Sequence, residues 1–528
     1  MTVSILPSQN SYSSPPYFLL ACLASTLPIW LATYPPMLDI PIHAVQIATF
    51  LRLLSGTEHF ESLFRINWFT PYWSGYLITA LWGLFLPIST AIKCTLSMAV
   101  AATPWAASRL RSLVNKNSYF DWLFLPIGYG FAFQWGFLNY IIGIPLTLLF
   151  LEYSIRYLAA PRLKTGIIIF IWAHLLFITH ILLLLFSLSI IISIEALTSK
   201  KFQKSINTLI PILLSIPTII IWFIYTRSIE PQTSSPISWV ITPNRLIAVF
   251  ITPAGCFSFW AIALICFSVI LKPPPLPKMN IFKHWQTIPL LYAFLITLYG
   301  PSLVFGTAYL CERFGAFLLP FYAFAYKDKE NESTSFNKKN HLVLCPIFAF
   351  IIIAINSYES IKFESELTGL RKIIRIMEPN KKLISLIYDY NNPSHITPIL
   401  LHTPSWYFAE KGGLGNRYYS TFNMIIRYKK NAPTTVSDIQ KNIQWEPQSF
   451  NWNQDGKYYD YFILHGDISK YHTVYEGIKN LHLLYTDGKW WLYARNIPID
   501  YSKPLNNLKK TIYYSDSFVS PTPQEKLP

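Results

Sequence analysis

Residues 34–47 read YPPMLDIPIHAVQI, directly after the apolar run Tyr17–Thr33. That run has no basic leader and no A-x-A-like exit, so a retained membrane span is expected rather than a cleaved signal. Pro35, Pro36 and Pro41 stiffen the backbone around Asp39. From about Ile42, the apolar residues Ala44, Ile47, Leu51 and Leu54 fall on one helical face, the pattern of a helix lying on a membrane surface. His43 stands four residues after Asp39, so the two share a face if the stretch is helical. A polar stretch continues to Pro71, making this the first loop outside the membrane.

The composition around this stretch agrees with that placement. Hydrophobic residues make up 52% of the 528 and charged residues 13%, against about 25% charged in a soluble chain. This excludes an ordinary cytosolic enzyme, a disordered chain and a disulfide scaffold, and points to an α-helical polytopic membrane protein. Residues 1–357 hold 22 basic and 11 acidic residues, while the shorter remainder holds 21 and 16. A transmembrane domain over 1–357 is therefore expected to precede a soluble α/β domain over 358–528. The net charge of +16 reads as positive-inside loop charge, not as a nucleic-acid surface. All six cysteines precede residue 358 and lack metal-ligand spacing.

Runs suited to spanning helices are 17–33, 93–108, 120–134, 136–153, 165–198, 207–226, 244–271, 286–304, 314–326 and 341–357. Placing the basic linkers in the cytoplasm makes 165–198 two short spans and 74–90 a helix at the outer surface. About eleven spans result, with the N-terminus inside and the soluble domain outside. The segment KPPPLPK (272–278) reads as a stiff cytoplasmic linker.

With so few acids before residue 358, each can be placed. Asp39 suits general-base or metal-binding work at the outer surface, but Asp before a helix is also a common N-cap. Asn139 and Gln134 either bond helices together or line a polar cavity. His174 and His180, six apart, either pack or, for His180 at the outward turn, reach a site. Arg313, in Glu312-Arg313-Phe314, either anchors at the surface or holds a lipid phosphate through its planar fork. Trp68, Tyr72 and Trp73 read first as interfacial anchors and second as platforms for sugar rings. Asp39, His43, Asn139, His180 and Arg313 all fall near the outer face, and are expected to converge on one cavity.

The soluble part has its own signals. Residues 365–377 have helical period, Lys382–Tyr388 and Ile396–Leu401 read as strands, and Gly412-Gly413 ends a helix. YYDYFILHG reads as a buried strand, and Asp487-Gly488 between apolar runs marks a hairpin. No nucleotide-binding or hydrolase motif is present, so the domain reads as acceptor-binding or structural.

YPPMLDIPIH (34–43), WGFLNYIIG (135–143), WAHLLFITH (172–180) and YDYFILHGD (459–467) together carry a resemblance. Over about residues 17–496 the chain resembles an uncharacterised bacterial branch of the GT-C class of polytopic membrane glycosyltransferases. The resemblance implies a GT-C-like fold in a bacterial cytoplasmic (inner) membrane. It also implies transfer of a sugar from a polyprenyl-phosphate donor to an exported glycan, lipid or protein acceptor. Asp39 would be the catalytic base, with His43, Asn139, His180 and Arg313 binding substrate. The family's second acid has no firm counterpart; Glu58 or Glu61 could join Asp39 around a divalent metal, Mg or Mn. A lipid or polysaccharide transporter, a flippase and a non-catalytic assembly protein are the competing readings. Inverted repeats or broken mid-membrane helices would mark a transporter, and none stands out.

Overall fold

A computed structural model describes residues 14–114, 118–199, 202–229, 237–239, 245, 284–304, 307–326, 335–390, 397–415, 424–429, 443–452, 455–467, 478 and 480–495. Apart from Arg245, the expected span 244–271 lies outside these residues, as does the linker 272–278. The first apolar run splits into α1 (Pro16–Ala24) and α2 (Leu27–Trp30), with Pro28 at the start of α2. Next come α3 (Ile40–Leu54), α4 (Glu58–Leu63) and a short strand, β1 (Phe64–Ile66). Pro87 then separates α5 (Trp73–Gly83) from the 25-residue α6 (Ile88–Ser112).

Beyond α6 the chain departs from expectation. Residues 120–134 do not form a span. Tyr119–Tyr129 winds as a 3-10 helix containing Pro126, and Gly130 separates it from α7 (Phe131–Trp135). Eleven residues at about 2 Å rise reach only ~22 Å, short of the ~30 Å hydrocarbon core. The central helix is α8 (Leu138–Ala159), packed by α6, α9 (Leu163–Thr179) and α10 (Ile181–Thr198). The run 165–198 is thus two helices, broken where His180 turns extended (φ −166°, ψ 112°). After them come α11 (Phe202–Leu213) and α12 (Ile216–Ile229).

Later runs are also shorter than expected. α13 (Ile288–Tyr299) stops at Gly300-Pro301. The strands β2 (Leu303–Val304) and β3 (Thr307–Ala308) follow, then α14 (Leu310–Arg313). Residues 314–326 give a 3-10 turn and only eight residues of helix, α15 (Leu318–Ala325). Among the described residues, Leu138–Ala159, Ile181–Thr198 and Leu344–Ile376 are long and apolar enough to cross a membrane. The pair Ser205–Leu213 and Ile216–Thr226, bent by 42°, would add a fourth as one broken span. The expected eleven are not met there, because Pro and Gly cut several runs below spanning length.

The basic residues in the last turns of α6 and α8 are not simple loop charge. Arg111 forms a buried two-pronged ion pair with Asp121, at 2.6 and 3.0 Å. Glu152, fully buried, receives Arg109 at 2.7 and 2.8 Å and Arg156 at 3.0 Å. Removing one partner from a pair buried on both sides, as Arg111–Asp121 is, costs about 3–5 kcal/mol, so that pair fixes the 3-10 segment against α6. The partly exposed Arg109 joins α6 to Glu152 on α8, where the partly exposed Arg156 also pairs with it.

The helix α16 (Ser335–Ile376) runs for 42 residues and carries the chain into the C-terminal part, with Ser357 inside it. There a five-stranded sheet forms from β4 (Lys382–Ile387), β5 (Leu414–Gly415), β7 (Tyr461–His465), β8 (Leu481–Asp487) and β9 (Trp490–Arg495). The order is β5-β4-β7-β9-β8. β4 runs parallel to β5 and β7, while β9 is antiparallel to β7 and β8. Asp487-Gly488 makes the β8–β9 hairpin, with Gly488 at φ +59°. Residues 397–401 are turn, not the strand expected over Ile396–Leu401. Pro398 has no amide hydrogen for a ladder.

The first loop and the C-terminal part share one core. β1 pairs antiparallel with β6 (Ile426–Tyr428). The Gln46 side chain accepts from Ile426 N at 2.9 Å. Arg52 donates to the carbonyls of Phe408 and Ala409, which ties α3 to α17 (Trp406–Lys411).

Candidate active site

Asp39 occupies the backbone N-cap position of α3, and its carbonyl accepts from Ile42 N (3.0 Å) and His43 N (3.1 Å). Its carboxylate makes no capping bond. Oδ1 instead accepts from His402 Nδ1 at 3.0 Å, and the Asp39 side chain keeps 32% exposure. The backbone beneath it is pinned: Leu38 N donates to Gln134 O (3.1 Å) and Asp39 N to Trp135 O (3.0 Å). Gly136 makes this approach possible. It sits at φ +81°, and a Cβ there would lie 2.7 Å from Asp39 N. Both facts demand glycine.

His43 is hydrogen-bonded through Nδ1 to the Tyr76 hydroxyl at 2.7 Å. Desolvation lowers its imidazole from 6.5 to about 4 against the pull of the Asp39 carboxylate, so the ring is neutral.

Arg313 ends α14, and the guanidinium donates to Tyr309 O (3.2 Å) and Ala308 O (2.9 Å). It lies over the Phe137 ring at 3.7 Å, with the Tyr140 ring at 6.0 Å, a stacking arrangement suited to a planar cation. Tyr309 holds a left-handed backbone, φ 57°, and its ring packs on Trp135 at 4.1 Å. Asp39 and Arg313 are close enough to interact electrostatically.

His180 is buried, edge-on to Tyr72 (5.0 Å) and Tyr140 (5.1 Å). Its Nδ1, like the Tyr140 hydroxyl, has no hydrogen-bond partner among the described residues. Asn139 has a different use: its Oδ1 accepts from Gly75 N at 2.8 Å. That satisfies an amide in the first turn of α5, which has no side-chain cap of its own. His174 is tied to Phe170 O and Thr218 Oγ1, joining α9 to α12. Trp68 and Trp73 stack on each other at 5.2 Å, and Trp68 is 64% exposed.

Of the three carboxylates expected around a metal, the side chains of Asp39 and Glu61 are described. Glu61 is exposed, and the side chain of Glu58 lies outside the described residues. Among the described residues no three His, Cys, Asp or Glu come together as a metal-holding group. The Oδ1 face of Asp39 is already taken by His402.

The structure therefore gathers Asp39, His43, His180 and Arg313 around the WGFLNY segment, with Asn139 supporting it from behind. Sequence reasoning missed Gly136, Tyr76, Tyr140 and His402. Gly136 had a signal, a glycine just before a helix in the quoted motif; His402 had none.

No protein-family model matches the sequence, and no curated protein matches it. Among solved structures, ArnT from Cupriavidus metallidurans bound to undecaprenyl phosphate superposes with a TM-score of 0.49 at 9% identity. The superposition covers 91% of this chain and 98% of that one. Likeness at this level assigns neither residues nor activity to the present chain.

Proposed function

We propose that the chain is a membrane glycosyltransferase, moving a sugar from a polyprenyl-phosphate donor to an acceptor hydroxyl outside a bacterial cytoplasmic membrane. The observation that carries this reading is the Asp39 carboxylate. It sits at a helix start without capping it, stays partly exposed, and has Arg313 within electrostatic reach.

In this reading Asp39 takes the proton of the acceptor hydroxyl as that oxygen attacks the anomeric carbon. The bond from that carbon to the phosphate oxygen breaks, and the polyprenyl phosphate leaves with the electron pair. A single displacement inverts the anomeric centre. The leaving phosphate gains charge where Arg313, the Tyr140 hydroxyl and the His180 ring can donate to it. A phosphate there would supply the partner that the last two groups lack.

The test is made in cells whose only copy carries Arg313→Gln, by following lipid-linked sugars and envelope glycans with mass spectrometry. At equal membrane amount, transfer should fall about 10²–10³-fold, the effect of losing one donor to a developing anion, and the lipid-linked sugar should accumulate. If deleting the whole chain leaves both profiles unchanged, the reading fails.

A further inference from the structure

The C-terminal part contributes a side chain directly to the Asp39 carboxylate, although nothing in its own sequence marks it as catalytic. His402 is buried, at 6% exposure, and its Nδ1 lies 3.0 Å from Asp39 Oδ1. The two residues are 363 positions apart. We propose that His402 is the positioning residue of this centre: its Nδ1–H holds one carboxylate oxygen of Asp39 so that the other faces the acceptor. The C-terminal part would then complete the active centre rather than only receive the acceptor.

The support around His402 is that of a fixed pedestal. On its N-terminal side, Thr397 Oγ1 donates to Gln134 O at 3.1 Å. The same carbonyl accepts from Leu38 N. One backbone oxygen thus holds both the segment bearing Asp39 and the segment bearing His402. On its C-terminal side, Ser405 N donates to His402 O at 3.0 Å. Trp406 then stacks on Tyr34 at 4.3 Å, and the Tyr34 hydroxyl donates to Glu410 at 2.6 Å. Arg52 fixes the next turn through two carbonyls. Anchors on both sides lock the ring against the first loop, the rigidity a catalytic carboxylate needs for a near-attack geometry. A tight packing role alone would not require the Nδ1–carboxylate bond, and this difference is measurable.

This inference rests on the transferase reading, so the experiment separates the two. Cells carrying only the wild-type chain, no chain, Asp39→Asn, His402→Asn or His402→Gln are compared. Pulse-labelled transfer from lipid-linked sugar to glycan is normalised to the membrane amount of each variant. Asn places an amide N–H near the position of Nδ1, whereas Gln reaches the position of Nε2 and leaves Nδ1 unreplaced. His402→Gln should lower transfer about 10–100-fold, the scale of a misplaced catalytic group, while His402→Asn should stay within about threefold of wild type, as expected when the positioning bond is kept. Wild-type rates in His402→Gln, or equal losses in Asn and Gln, would overturn the positioning role and leave the transferase reading standing. No difference between the wild-type and deleted strains would overturn both.

Discussion

At the scale of single residues, Gly136 makes the sharpest demand. Its φ of +81° and the 2.7 Å approach of a Cβ to Asp39 N leave no room for a side chain. Gly136→Ala should lower thermal stability by about 1–3 kcal/mol, the cost of a strained left-handed residue. It should also reduce transfer by more than the drop in folded protein explains, because the atom it displaces is the backbone of Asp39. Unchanged stability and transfer would show that the segment relaxes freely. The place of Asp39 itself was legible: prolines and an Asp before a periodic apolar run mark a helix start. What its carboxylate does was not, because its partner His402 comes from a segment without a short-range motif.

At the scale of elements, β7 ends in His465, buried against Trp490 at 4.3 Å. Burial lowers this imidazole from 6.5 to about 4, with Asp389 pulling the other way. Above pH 6.5 the ring is neutral in both states and adds no pH dependence. Between pH 6.5 and about 4 the unfolded chain binds a proton that the folded one refuses. Stability should therefore fall by up to about 3 kcal/mol across that window. His465→Phe should flatten this part of the thermal-unfolding profile; an unchanged slope would assign it to other groups. Elements with strict local grammar are readable in the sequence: the Asp487-Gly488 hairpin and the glycine stop after α17; the break within 165–198 follows from the basic linkers instead. The span over 120–134 was misread because apolar content alone cannot separate a membrane helix from a buried 3-10 segment. The same ambiguity shows in burial. The apolar window of Leu138–Ala159 is 89% buried inside the protein, whereas that of Leu344–Ile376 is 28% buried. Sequence hydropathy does not distinguish these two fates.

At the scale of the whole molecule, the first loop and the C-terminal part meet over Asp39, so both must lie on one side of the membrane. The charge pattern of the linkers predicts that this side lies outside the cytoplasm. An alkaline phosphatase fused after Arg495 should be active in export, and activity only from a cytoplasmic reporter would reverse the orientation. The central claim, that Asp39 does chemistry rather than begin a helix, meets its most direct test in Asp39→Asn. Asn caps a helix about as well as Asp, and any cap is worth only about 1 kcal/mol. Folding and membrane amount should therefore be nearly unchanged. Transfer from the lipid-linked sugar should fall by about 10²–10⁴-fold, the contribution of a general base. Full transfer in Asp39→Asn at equal membrane amount would contradict the account.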